Sequence, residues 1–124
     1  MAEDRLRVCI VDDDESVREA LPDLLRELGF AVEAFASAHD FLASASIDET
    51  HCLILDIAMP GMSGPELKRE LRSRGQNVPI IFITAHADLD VRRRLLEQGA
   101  VECLFKPFSE GALLDAIDAA MRTR

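Results

Sequence analysis

Short apolar runs that each stop abruptly at a polar residue constrain this chain more than any other feature. Val8-Cys9-Ile10-Val11 stops at Asp12-Asp13-Asp14, Cys52-Leu53-Ile54-Leu55 at Asp56, and Ile80-Ile81-Phe82-Ile83 at Thr84. A four-residue stretch without polar alternation, if extended, must be buried on both faces. Such strands belong in a parallel sheet covered by helices on each side.

The segments between the runs carry helical spacing. Val17, Ala20, Leu21, Leu24, Leu25 and Leu28 predict a first helix stopped by Gly29, with Pro22 an irregularity that removes one backbone donor. Ala31–Phe35 alternates and reads as a second strand near an edge. Ser37-x-x-Asp40 opens a helix whose buried stripe is Ala38, Phe41, Leu42 and Ala45, followed by a polar connection over 46–51. After a loop at 57–63, Ser63-Gly64-Pro65-Glu66 combines a cap serine, an early proline and an acid three residues on, and Arg74-Gly75 closes that helix. Asp88 to Gln98 is a fourth helix with a thin stripe of Val91 and Leu95, stopped by Gly99. Val101 to Phe105 is a short fifth strand ending at Lys106-Pro107, and Ser109 caps a last helix that buries Leu113, Leu114, Ile117 and Met121. The pattern is five β–α units, an α/β doubly wound parallel sheet.

At 124 residues the chain is expected to form one domain, 1–124, and 48% hydrophobic with 30% charged residues supplies one proper core. The apolar runs are far short of a membrane span, and Met1-Ala2-Glu3-Asp4-Arg5 lacks the character of a secretion signal, so no membrane role and a cytoplasmic location are expected. Cys9, Cys52 and Cys103 lie in separate apolar segments without metal-site spacing and read as small buried hydrophobes. A net charge of −9 disfavours nucleic-acid binding by this domain itself and suits a binder of cations, basic surfaces or another protein.

In an open parallel sheet, ligands bind beyond the carboxyl ends of the strands. Those ends here read Asp12-Asp13, Asp56, Thr84 and Lys106. Each residue alone has an ordinary explanation: an acidic first helical turn, a strand-end cap, a loop charge. Together they describe a site. Converging carboxylates raise one another's pKa unless a cation joins them, and a hard divalent ion, Mg²⁺ first among them, fits oxygen ligands. Metal, ammonium and hydroxyl around a carboxylate suit a phosphoryl group, with the carboxylate as nucleophile.

On Val11-Asp12-Asp13, Asp56 with Met59-Pro60-Gly61-Met62-Ser63-Gly64, Thr84-Ala85 and Lys106-Pro107-Phe108, the chain resembles the receiver domains of bacterial two-component response regulators. It is most similar to the group attached to helix-turn-helix transcription factors. The resemblance implies a flavodoxin-like strand order of 2-1-3-4-5 and a cis Lys106-Pro107 bond. It implies Asp56 as phosphoacceptor, Asp13 as direct and Asp12 as indirect Mg²⁺ ligand, and the Ala58 backbone carbonyl as a further one. It implies that Thr84 and Lys106 contact the phosphoryl group. The implied partners are a cognate sensor histidine kinase and a second copy through the fourth helix, fifth strand and fifth helix, with DNA reached only through an output domain. On this reading the protein is not an enzyme turning over a separate substrate. Ala58 and His86, two residues past Asp56 and Thr84, would flank the water that later hydrolyses the acyl phosphate. The family usually places an aromatic three residues before the lysine. Here that residue is Cys103, with Phe105 on the same face further along the strand.

Other classes fit less well. A flavodoxin-type module wants a Ser/Thr/Gly phosphate loop after the first strand, where this chain has three aspartates. An aspartate-nucleophile phosphatase wants a second acid at position 58, which is alanine. A stand-alone or non-phosphorylated receiver-like interaction module remains the alternative. The run Arg92-Arg93-Arg94 reads as a solvated face or as a partner-binding patch.

Overall fold

The computed structural model describes residues 5–122; the residues just before, whose sequence lacks signal character, lie outside it. The elements run β1 (Arg7–Val11), α1 (Glu15–Glu27), β2 (Ala31–Phe35), α2 (Ala38–Leu42), a 3₁₀ turn (Ala45–Glu49), β3 (Cys52–Asp56), α3 (Gly64–Ser73), β4 (Ile80–Thr84), α4 (Leu89–Glu97), β5 (Glu102–Phe105) and α5 (Glu110–Arg122). All strand pairs are parallel, in the order β2-β1-β3-β4-β5. The parallel, doubly wound sheet is the one the both-face apolar runs predict, and its flavodoxin-like strand order is the one the resemblance implies.

The period of two along each strand divides the core. Cys9, Val11, Leu53, Leu55, Phe82 and Cys103 face α2, α3 and α4, packing with Phe41, Leu67, Leu71 and Leu95. Val8, Ile10, Ile54, Ile81 and Ile83 face α1 and α5, packing with Leu21, Leu25, Leu113 and Ile117. The strands β3 and β4 are buried throughout, whereas the edge strand β2 buries only Val32.

Local chemistry sets the helix ends as the sequence suggests. Ser63 and Glu66 form a reciprocal capping box on α3, with Ser63 N–H donating to Glu66 Oε1 at 2.9 Å and Glu66 N–H to Ser63 Oγ at 3.3 Å. Helices α1, α3 and α4 are each followed by a glycine at positive φ (Gly29, Gly75, Gly99). Pro22 is buried inside α1, which runs on to Glu27.

Four details differ from the sequence expectation. The buried stripe of α2 ends before Ala45, which is exposed, because Ser44 gives both its N–H (3.0 Å) and its hydroxyl (2.7 Å) to the Phe41 carbonyl and ends the helix. The connection over 46–51 is not simply polar: it contains the 3₁₀ turn, with Ser46 buried and Ile47 packed on the core. In α1, Leu28 is exposed because it is the cap residue, where the helical period has lapsed, and Ala20 opens onto a cleft of about 650 Å³ between α1 and α5. In α5, Ala116 and Ala120 are buried while Leu114 and Met121 are only partly covered, so small residues bring that helix onto the sheet. Among the described residues no helix is long and apolar enough to cross a membrane.

Candidate functional site

Strand register brings the site together. Val11 pairs with Leu55, so the next residues, Asp12 and Asp56, lie side by side at the carboxyl edge. Asp56 pairs with Ile83, and Ile57 N–H donates to the Ile83 carbonyl at 3.1 Å, so Thr84 follows at the neighbouring strand end. Lys106 N–H donates to the Thr84 carbonyl at 2.7 Å, bringing the lysine in from the far strand. The Lys106-Pro107 bond is cis, as the resemblance implied.

Asp12 is fully buried and fully engaged. Its Oδ1 accepts from Asp14 N–H at 2.9 Å, its Oδ2 from Lys106 Nζ at 2.8 Å, and its main-chain oxygen from Arg18 Nη1 at 3.0 Å. Asp56 is buried at the strand end, and its Oδ1 lies 3.8 Å from Lys106 Nζ. Asp13 is exposed at the mouth. Each of Asp12, Asp13 and Asp56 offers a carboxylate oxygen within 4.8 Å of the others.

Three carboxylates share one nearby ammonium, and the imbalance shows in the protonation of Asp56. Burial, then the charge of Asp12, pushes Asp56 up to about 7, with Lys106 opposing and Asp13 adding to the rise. For Lys106, burial favours the neutral amine, but the hydrogen bond and charge of Asp12, with Asp56, outweigh it and hold the ammonium firmly protonated. The cluster could therefore hold a metal ion: its oxygens converge and it is short of positive charge.

Thr84 is buried, and its Oγ1 accepts from the main-chain N–H of exposed His86 at 3.1 Å. Ala58 is exposed in the loop after β3. Cys103 is buried, and burial raises its thiol above the ordinary range, which marks a packing residue rather than a reactive thiolate. Phe105 packs against the same side of the sheet as Cys103, further along β5.

Two residues contribute in ways the sequence alone does not show: Gly64, present there only as part of the motif after Asp56, and Arg18. Gly64 N–H donates to the Ile57 carbonyl at 2.9 Å, and a Cβ at Gly64 would stand 2.3 Å from the main-chain oxygen of Asp56. The glycine is therefore needed to hold the start of α3 against the residue that bears the central carboxylate. Its signal was present in Ser63-Gly64-Pro65, where the cap obscured it. Arg18, on α1, had no signal beyond its place beside Val17.

The family described as response regulator receiver domain matches residues 8–118. Response regulator protein TodT of Pseudomonas putida is 44% identical over 115 residues, covering 93% of this chain and 51% of that protein. Transcriptional regulatory protein FixJ of Azorhizobium caulinodans is 38% identical over 116 residues, covering 94% of this chain and 55% of that protein. The solved structure of response regulator StyR superposes with a TM-score of 0.87 at 48% identity, covering 96% of this chain and 60% of that one. The chain thus spans about half the length of the curated relatives it matches. With the match extending over nearly every element and the acidic edge in place, this chain belongs to the response regulator receiver domain family.

Proposed function

We propose that the domain, working in the cytoplasm, accepts a phosphoryl group on Asp56 from the phosphohistidine of a sensor histidine kinase. The observation that carries this reading is the crowding of Asp12, Asp13 and Asp56 at the carboxyl edge with Lys106 reaching in beside them. In the transfer, an Asp56 carboxylate oxygen attacks phosphorus and the phosphorus–nitrogen bond to the donor histidine breaks. The bonding pair returns to the imidazole, which takes up a proton. Asp13, Asp56 and the Ala58 carbonyl would hold Mg²⁺, with Asp12 acting indirectly, and the bound ion would supply positive charge to keep Asp56 ionised and to neutralise the phosphoryl oxygens. Lys106 is already within reach of Asp56 and pairs with the transferred group, while the Thr84 hydroxyl turns from accepting His86 N–H to donating to a phosphoryl oxygen. Water later attacks phosphorus, releases inorganic phosphate and restores the Asp56 carboxylate. Asp56 is the group modified, so no separate substrate is turned over.

The switched output is a protein surface, the α4–β5–α5 face, through which a second copy binds. DNA is reached only through an output region and not through this acidic domain. A transcriptional outcome follows from similarity to regulators such as FixJ. Intact mass after incubation with Mg²⁺ and either acetyl phosphate or phosphoramidate tests the reading. The native chain should gain one phosphoryl group and Asp56→Asn none. No gain with either donor would leave a non-phosphorylated interaction module.

A further inference from the structure

The basic run on α4 is not uniform. Arg93 is exposed and pairs along its own helix with Asp90 at 3.3 Å. Arg92 instead turns toward β5, where its Nη2 donates to Glu102 Oε1 at 2.6 Å and its Nε to the main-chain oxygen of Cys103 at 3.2 Å. The same Glu102 oxygen accepts the Cys103 N–H at 2.9 Å.

The place of this cluster matters. β5 is an edge strand, and Lys106 N–H faces β4. By alternation, the N–H and carbonyl of Cys103 face away from the sheet. A pair of oppositely charged side chains closes both of these open main-chain groups and ties them to α4. That helix is otherwise lightly held: among its described residues only Leu95 is buried, Val91 is partly covered against the core, Lys68 Nζ donates to the carbonyl of the cap residue Gln98 at 2.8 Å, and Leu89 is 70% exposed. The segment leading into α4 is short. His86 N–H reaches Thr84 Oγ1, and Asp88 caps the helix through Asp90 N–H at 3.0 Å and Val91 N–H at 3.2 Å. Thr84 is thus joined through its hydroxyl to the entry of α4 and through its carbonyl to the exit of β5. The Arg92–Glu102 pair closes that circuit.

We propose that Arg92 and Glu102 form a latch that sets α4 against β5 and thereby positions Thr84. They are a positioning pair that holds Thr84 in its arrangement before phosphorylation, working through the main chain of residue 103, where the side chain is small and buried. The proposal rests on Asp56 being the phosphoacceptor. An arginine suits this place because its planar fork serves a carboxylate and a carbonyl together, which a lysine ammonium on a flexible stem does less well. Releasing the latch frees α4 for the arrangement in which Thr84 meets the phosphoryl group. If phosphorylation favours that arrangement, then freeing it favours phosphorylation by the same coupling.

The test compares the native chain with Arg92→Gln, Arg92→Lys and Glu102→Gln. Two quantities are read: amide hydrogen exchange over Leu89–Glu97 in Mg²⁺ without a donor, and the rate of mass gain with acetyl phosphate. The latch predicts faster exchange and roughly three- to fivefold faster phosphorylation in Arg92→Gln and Glu102→Gln, the size expected for losing a half-exposed ion pair, with Arg92→Lys between them and the native chain. Faster exchange with an unchanged rate would reduce the pair to a structural brace and overturn the positioning role. Unchanged exchange would overturn the latch itself. A native chain that gains no mass would overturn the phosphoacceptor reading and the positioning role with it, while exchange would still report whether the latch holds α4.

Discussion

Lys106 Nζ sits 2.8 Å from Asp12 Oδ2, a hydrogen bond, and only approaches Asp56, at 3.8 Å. The ammonium is committed to the carboxylate that is buried completely, and Asp56 is left short of positive charge. Lys106→Ala therefore strands two buried carboxylates. Without divalent metal, the variant should lose about 3–5 kcal/mol of stability at neutral pH, the range for breaking a buried pair. Thermal melts in EDTA and in millimolar Mg²⁺ check this. The loss should shrink when the metal is present, and equal midpoints for variant and native chain in EDTA would contradict the assignment.

The protonation of Asp56 should be visible in stability. Its folded pKa, about 7, lies above the ordinary carboxylate value of 3.8. Between those values the folded chain keeps a proton that the unfolded chain has lost, so this group's contribution to stability falls as pH rises from about 4 to 7. Asp56→Asn removes that fall. In EDTA at pH 7.5 the variant should be more stable than the native chain, by on the order of 1–3 kcal/mol, with the difference vanishing near pH 4. Denaturant titrations across this range measure it, and Mg²⁺ should diminish the gap.

Gly64→Ala tests the contact between α3 and the main chain of Asp56, the proposed phosphoacceptor. The added methyl would meet the Asp56 oxygen at 2.3 Å, with the Ile57 Cα and a Phe82 ring carbon each at 3.1 Å. Backbone and core must both shift, so the expected loss is about 2–4 kcal/mol. Phosphorylation should slow as well, because Asp56 is moved from its place between Asp12 and Thr84. A variant with native stability and native rate would show that the helix start yields without moving Asp56.

His86→Ala addresses dephosphorylation. The imidazole is exposed two residues beyond Thr84, where water would approach the acyl phosphate, while the His86 N–H that reaches Thr84 Oγ1 belongs to the main chain and survives the change. Phosphoryl lifetime should change severalfold while Mg²⁺ affinity stays within about twofold. Decay of the phosphorylated mass, alongside metal titration, separates the two effects. Identical lifetimes would remove His86 from the path of the water.

How much of this could be read from the chain alone depends on the range of the interaction concerned. Runs such as Val8–Val11 and Ile80–Ile83 carry no polar alternation, and burial on both faces forces them into the middle of a parallel sheet. Their abrupt ends place Asp12, Asp56 and Thr84 at one edge without any knowledge of packing, and Ser63 with Glu66 announces its own cap. Those features are written within a few residues, because the strand and helix periods are local properties. Ala45 and Leu28 went wrong at the places where a helix stops and its period no longer predicts direction.

The amino-acid sequence by itself determined the order of elements, the two-faced core and the set of polar groups at the carboxyl edge. Only the tertiary structure decided which carboxylate Lys106 takes, why residue 64 must lack a side chain, and which member of the arginine run turns inward to Glu102. Each of these joins groups on different elements, 94 residues apart for Lys106 and Asp12. Such partners are chosen by strand register and side-chain reach across the assembled sheet, which no local pattern encodes.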